Sequence, residues 1–311
     1  MKIAVMDLGT NTFHLLIAEV KGDRAWQKIL NTRITVKLGQ AGIGTISKGA
    51  YDRGMKAMEV FFHSLKEHEI SNVRAFGTAA LRSASNGPAF LEEVKQKFGF
   101  TIGLISGDEE ASLIYYGVRQ AVKMGYDKSL IIDIGGGSVE CIIANKNTIF
   151  WKQSFKLGAA LLLGKFKPED PLSQQNISSI NDYFDSELKP LQDACKNYQP
   201  LLIIGSAGSF ETFASMIRHR FPESGSHYGK TTHPIRFTHF ERLYQELILS
   251  TTLQRNEMRG LVKMRVDMIV MAALLLKFVI DKTGIQQLKL SSYALKEGAI
   301  WKILNDSHEQ I

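Results

Sequence analysis

The sequence predicts an α/β fold made of two related domains, and three observations carry that prediction. One motif occurs twice without a gap: Ile3-Ala-Val-Met-Asp7-Leu-Gly9-Thr-Asn11-Thr12-Phe-His14, and Leu130-Ile-Ile-Asp133-Ile-Gly135-Gly136-Gly137-Ser138-Val-Glu140. Each copy is an apolar run ending in Asp, a small-residue loop and a second apolar run. Apolar runs of strand length then alternate with amphipathic stretches of helix length, which argues for layered α/β architecture. Finally, 311 residues with 44% hydrophobic and 22% charged content suit a globular chain of two ordinary domains.

The elements follow in order. Strands are expected at residues 3–7, 12–20 and 25–38, then a helix over 48–66. A strand at Val73–Gly77 leads into a loop, Thr78 to Arg82. Gly87-Pro88 opens a helix to about Phe98, with proline in the first turn where its missing N–H does no harm. A short strand at 101–105 precedes a helix from Ser106 to about Met124. Gly125-Tyr126-Asp127 reads as a hinge, dividing the chain into domains 1–125 and 126–311. The second half restarts the same order, with strands at 129–133, 138–144 and 147–156 and a helix at 158–164. One amphipathic helix is expected over 176–194, a buried strand at 201–204, and then the loop Gly205-Ser206-Ala207-Gly208-Ser209 entering a helix. Polar residues 221–234 read as loop, helices as 239–250 and 262–282, and the chain closes with a strand at 287–290 and a helix from Tyr293.

No run approaches the roughly 20 apolar residues of a membrane span, so no membrane partner is expected. The chain opens directly on a strand, without a signal-peptide pattern. Cys141 and Cys195 lack metal-ligand spacing and read as reduced core thiols of a cytoplasmic protein. The net charge of +7 and pI near 9.2 read first as a solvated basic surface and second as attraction to polyanions, either nucleic acid or a phosphate-rich substrate. The basic residues, among them Arg24, Lys28, Arg33, Arg218, Arg220, Arg255, Arg259 and Arg265, are dispersed. Without a basic block, zinc-finger spacing or an aromatic RNA-binding motif, DNA is not an expected partner.

The doubled loop carries the chemistry. Glycine lets backbone approach a ligand, and loop N–H groups can cradle phosphate oxygens. Asp7 aligns with Asp133, Gly9 with Gly135 and Thr12 with Ser138. An aspartate beside each loop can orient a cation or a water, and two such loops facing each other would make a two-walled phosphate site. The copies differ where His14 stands opposite Glu140. Asp133 and Glu140, on consecutive strands, can converge as two hard oxygen ligands suited to Mg²⁺.

Three further segments stand out. Ser106-Gly-Asp108-Glu109-Glu110 contains a capping box, Ser106 to Glu109, which gives Glu109 a structural task. Glu110 lies about 100° further round the helix and projects elsewhere, either toward a cleft or simply as one of three acids that suit the helix dipole. Arg82 ends a strand-to-loop segment and can hold two phosphate oxygens in fixed geometry. Gly205, Ser206 and Gly208 resemble a nucleotide or phosphate loop at a helix N-terminus, a pattern that tight packing also produces.

These segments together resemble the exopolyphosphatase/guanosine pentaphosphate phosphatase (Ppx/GppA) family in its short two-domain form. Asp7 to Ile17 is similar to the family's first phosphate motif, with Asn11 and Thr12 in its loop. Gly77 to Arg82 with Asn86 is similar to its arginine loop, Ile105 to Ala111 to its catalytic-glutamate motif, and Asp133 to Glu140 to its second phosphate motif. Leu157-Gly158-Ala159 and Leu295-Lys296-Glu297-Gly298 fall where the family has similar short blocks. Thr12, Val139, Ala207 and Lys296 depart from its more usual Ser, Thr, Gly and Arg.

The resemblance implies two ribonuclease-H-like domains of the actin/Hsp70/sugar-kinase superfamily around a central cleft. It implies hydrolysis of terminal phosphate from inorganic polyphosphate, with the 5′ γ-phosphate of guanosine pentaphosphate open as a second substrate. Glu110 would be the general base, Arg82 a phosphate ligand, and Asp133 with Glu140 the holders of Mg²⁺. Two rivals stand beside this reading: an actin-fold kinase using the 205–209 loop, and a non-catalytic sensor of polyphosphate. The apolar stretch Val262–Lys282 fits either a core helix or the contact of a homodimer.

Overall fold

In the computed structural model the residues described are 1–22, 25–40, 42–222 and 230–306. The chain forms two compact units, Met1–Gly117 with Leu295–Ile311, and Val118–Ala294.

The first unit opens with β1 (Lys2–Leu8), β2 (Thr12–Lys21) and β3 (Ala25–Thr35). There follow α1 (Lys48–Glu67), β4 (Val73–Gly77), α2 (Ala79–Ser83), α3 (Gly87–Phe98), β5 (Ile102–Leu104) and α4 (Gly107–Ala121). Its sheet runs β3-β2-β1-β4-β5. The first three strands pair antiparallel, whereas β1, β4 and β5 are parallel. The central β1 is buried over most of its length, as its unbroken apolar run requires, while edge strand β3 is largely exposed. Phe13, Phe61 and Phe90 anchor the core beneath the sheet. Gly99, at φ 77°, closes α3 in the left-handed conformation that glycine adopts without penalty.

The second unit repeats the plan. It contains β6 (Ser129–Ile134), β7 (Val139–Ala144), β8 (Ile149–Phe155), α5 (Ala159–Phe166), α6 (Gln174–Glu187), α7 (Lys189–Tyr198), β9 (Leu202–Ser206) and α8 (Ala207–Arg220). Then come β10 (Thr232–Ile235), α9 (Phe237–Leu249), α10 (Thr252–Asn256), α11 (Ile269–Thr283) and β11 (Leu288–Ser291). The sheet order β10-β11-β9-β6-β7-β8 reproduces the first sheet, read from β8, with β10 added antiparallel at the edge. Nearly all of α11 is buried in this unit's core. Its apolar faces are therefore accounted for without a second copy. Among the described residues no helix is long and apolar enough to cross a membrane.

The structure corrects several expectations. The last helix, α12 (Leu295–Asp306), groups with the first unit rather than with 126–311. Its Leu295, Ala299, Ile300 and Leu304 are buried, and it packs on β1. The helix expected over 176–194 is two helices. Pro190 lies in the first turn of α7, where its missing N–H and its ring prevent α6 from continuing unbroken. The stretch expected as helix from 262 begins as a 3-10 turn, Lys263–Arg265, before α11. Buried Arg255 donates from Nε to the Val266 carbonyl at 3.0 Å, in the gap between that turn and α11. The expected 78–82 loop contains the short helix α2. Arg24 and residues 223–229 lie outside the described residues, but β10, Thr232–Ile235, begins within the expected loop.

One close approach positions the second doubled-motif loop. A Cβ on Gly158 would lie 2.3 Å from the Gly136 carbonyl carbon and the Gly137 nitrogen. Both neighbours are backbone, so neither can rotate away. Gly158→Ala should lower unfolding free energy by about 2–3 kcal/mol in urea titrations. Unchanged stability would show that the Gly135–Ser138 loop is not held by this contact.

Candidate functional site

The duplication seen in sequence is a duplication in hydrogen bonds. Gly9 donates its N–H to the Thr12 carbonyl at 3.1 Å, and Gly135 donates to the Ser138 carbonyl at 3.1 Å. A Cβ on Gly9 would sit 3.0 Å from Thr12 O, and one on Gly135 3.2 Å from Ser138 O, so each turn closes tightly over its first glycine. Strand register places Asp7 opposite His14 and Asp133 opposite Glu140, as the sequence alignment of the two copies requires.

The carbonyls of both loops are pinned on one side. In the first, Thr10 O accepts from Leu38 N at 2.7 Å, and Asn11 O from Val36 N at 2.9 Å and Lys37 N at 3.0 Å. In the second, Gly135 O accepts from Ala159 N at 2.9 Å, and Gly136 O from Ala160 N at 3.0 Å and Leu161 N at 3.1 Å. In a trans peptide the C=O and the next N–H point oppositely. Pinning these carbonyls therefore turns the N–H groups of Asn11 and Thr12, and of Gly136 and Gly137, to the other side. Successive N–H groups turned outward form an anion-binding concavity.

Asp133 and Glu140 are 6% and 1% exposed. The hydroxyl of Ser206, on neighbouring β9, donates to Asp133 Oδ2 at 2.6 Å. Ser154, on neighbouring β8, donates to Glu140 Oε1 at 2.7 Å. Two buried carboxylates held across one strand pair form a hard-oxygen donor set that fits a divalent cation such as Mg²⁺. Among the described residues no group of three or more His, Cys, Asp or Glu is arranged to hold a metal. A cation at Asp133 and Glu140 would thus complete its shell with water and phosphate oxygens.

In the first unit the capping box forms in both directions. Ser106 N donates to Glu109 Oε2 at 2.7 Å, and Glu109 N donates to Ser106 Oγ at 3.2 Å. Glu109 is exposed, whereas Glu110 is buried. Arg82, at the end of α2, donates from Nη1 to Ile105 O at 2.5 Å and stands 3.7 Å from Glu110 Oε2. Two segments singled out separately in sequence, the arginine loop and the glutamate helix, thus meet.

The segment 205–209 is a strand-to-helix junction rather than a loop: Gly205 and Ser206 end β9, and Gly208 lies in α8. Its glycines admit the chain's own side chains. A Cβ on Gly205 would lie 1.8 Å from Phe210 Cδ1, and one on Gly208 1.5 Å from Arg265 Nη2. Ala207 takes a positive φ of 60°, the left-handed conformation that costs an alanine roughly 1–2 kcal/mol. Ser206 acts through Asp133. Sequence reasoning missed Ser154 and Arg265; the first carries no local signal, and the second was noted only as one basic residue among many.

Asp7 differs from its counterpart on the parallel side as well as across the hairpin. Its partner on the adjacent parallel strand is Phe76, where Asp133 has the hydrogen-bonding Ser206. Burial raises the Asp7 carboxyl from its ordinary 3.8 to about 6, opposed by the positive charge of Lys296 and reinforced by Glu297. The folded state then binds the proton more tightly than the unfolded chain. Stability falls as pH rises from about 4 through 6, and the ionised group costs roughly 3 kcal/mol above that window. Asp7→Asn should accordingly raise the melting temperature at pH 8 relative to wild type, with the difference vanishing near pH 3. An equal difference at both pH values would contradict buried ionisation.

The Ppx/GppA phosphatase family model matches residues 16–307. A crystal structure of an exopolyphosphatase from Cytophaga hutchinsonii shares 38% identity, with 98% of each chain covered and a TM-score of 0.95. A provisionally named exopolyphosphatase of Haemophilus influenzae is 28% identical over 306 residues, 97% of this chain and 91% of that protein. A guanosine-5′-triphosphate,3′-diphosphate pyrophosphatase of Vibrio atlanticus is 26% identical over 99% of this chain, which spans only 60% of that protein's length. The duplicated α/β units are thus those of the two-domain actin-like fold, and the chain belongs to the Ppx/GppA phosphatase family.

Proposed function

We propose that this protein is a phosphoanhydride hydrolase that releases terminal phosphate from inorganic polyphosphate, with the 5′ γ-phosphate of guanosine pentaphosphate as a second substrate. The observation that carries the reading is the pinning of carbonyls in both doubled loops, which turns backbone N–H groups to one side. Family membership and the activities named for its relatives support the substrate class.

Each side chain has a role in this account. Glu110 orients the attacking water and takes its proton, the work of a general base in phosphoryl transfer. Arg82 holds Glu110 and offers its guanidinium to phosphate oxygens. The N–H groups of Asn11, Thr12, Gly136 and Gly137 stabilise oxygens on which charge develops. Asp133 and Glu140, fixed by Ser206 and Ser154, hold Mg²⁺, which when bound supplies positive charge to the phosphate oxygens. The net charge of +7 attracts the rest of the polyanion. A cytoplasmic location accords with two buried free thiols, Cys195 pushed up to about 12 and Cys141 also raised, both by burial.

Phosphate release from polyphosphate by Glu110→Gln should fall about 10²–10⁴-fold in kcat, while KM changes little. Unchanged turnover would remove Glu110 as the base. Chelation should abolish wild-type activity, and Asp133→Asn should raise the Mg²⁺ concentration needed for half-maximal rate. Activity indifferent to chelation would contradict the metal assignment. Assayed with ATP and candidate acceptors, the protein should phosphorylate none; acceptor phosphorylation would favour the kinase reading.

A further inference from the structure

The Lys296-Glu297-Gly298 block was singled out in sequence, yet the roles above leave it unused. It forms the start of α12, far in sequence from the site residues of the same unit. Two contacts give it purpose. A Cβ on Gly298 would lie 1.7 Å from Leu113 O and 2.8 Å from Gly117 N, so α12 crosses α4 with backbone against backbone. The same helix packs on β1, whose penultimate residue is Asp7. One helix therefore touches both the helix that carries Glu110 and the strand that carries Asp7. Its first turn brings a cation and a buried carboxylate, Glu297 being 4% exposed, to act on Asp7 with opposite sign.

We propose that the first turn of α12 is a positioning element for hydrolysis: Lys296 and Glu297 set the charge of Asp7, and Gly298 fixes that turn against the Glu110 helix. This rests on the hydrolase reading above. Asp7 works as the carboxylate, orienting a water beside the first loop, and Lys296 keeps it ionised near neutral pH. The groups facing Asp7 are Lys296 and Glu297 from α12, His14 opposite it on β2, and the uncharged Phe76 on β4. Burial and Glu297 raise the carboxyl toward about 6, and Lys296 opposes them. A purely structural role for Glu297, favourable charge at a helix N-terminus, would not couple it to Asp7.

The test is the pH profile of phosphate release from polyphosphate for wild type, Lys296→Met, Lys296→Arg and Glu297→Gln. The wild-type rate should fall as the pH drops through about 6. Lys296→Met should move that acidic limb upward by about 1 pH unit, and Glu297→Gln should move it downward. Lys296→Arg should restore the wild-type position. His14→Gln should leave the opposite directions of the two shifts intact. Shifts in one direction, or lower rates on an unmoved profile, would overturn the proposal. If Glu297→Gln fails to fold, the Met and Arg variants of Lys296 decide the matter alone. A wild type that releases no phosphate contradicts the proposed function instead. The coupling is then read from melting temperature against pH, where Lys296→Met must still move the Asp7 inflection upward, and an unmoved inflection overturns it.

Discussion

The hydrogen bond from a glycine N–H to the carbonyl three residues on is the constraint on which the rest of the structure depends. It is made at Gly9 to Thr12 and again at Gly135 to Ser138. It closes each hairpin tightly, and the strand before it carries an aspartate, Asp7 or Asp133, two residues ahead of the glycine. The pinned carbonyls then leave one direction for the intervening N–H groups. The flanking elements repeat as well, with an antiparallel hairpin and two parallel strands in each sheet. The fold thus brings a backbone anion cradle and a carboxylate together twice.

Chemistry divides where the copies stop matching. In the second unit, serine hydroxyls from the strands beside Asp133 and Glu140 bond both carboxylates. Hydrogen bonds of this kind fix the carboxylate oxygens in place and suit a cation-holding pair. In the first unit, Phe76 replaces the serine and His14 replaces the second carboxylate. Asp7 is left to burial and to two charges from the distant end of the chain. The same strand position is therefore hydrogen-bonded in one unit and governed by opposing charges in the other.

Much of this was legible because it is local. The doubled motif and the capping box at Ser106 and Glu109 depend on spacing within a few residues, and the structure bears both out. So was the separation of Glu109 from Glu110, which follows from helical geometry. Pro190 and the Thr251-x-x-Gln254 capping box before α10 were legible signals that went unread. Other features depend on contacts across the chain and leave no local trace. α12 joins the first unit through packing on β1, Arg255 reaches the Val266 carbonyl from eleven residues away, and Gly208 is small because Arg265 lies against it. In sequence that last glycine looked like room for a ligand.

The central claim is that both glycine turns present their N–H groups to phosphate. The direct measurement is a backbone amide NMR titration with a non-hydrolysable polyphosphate analogue. The account predicts saturable shifts at Asn11, Thr12, Gly136 and Gly137, larger than those elsewhere on either sheet. Saturable binding that leaves these four amides unmoved would contradict it.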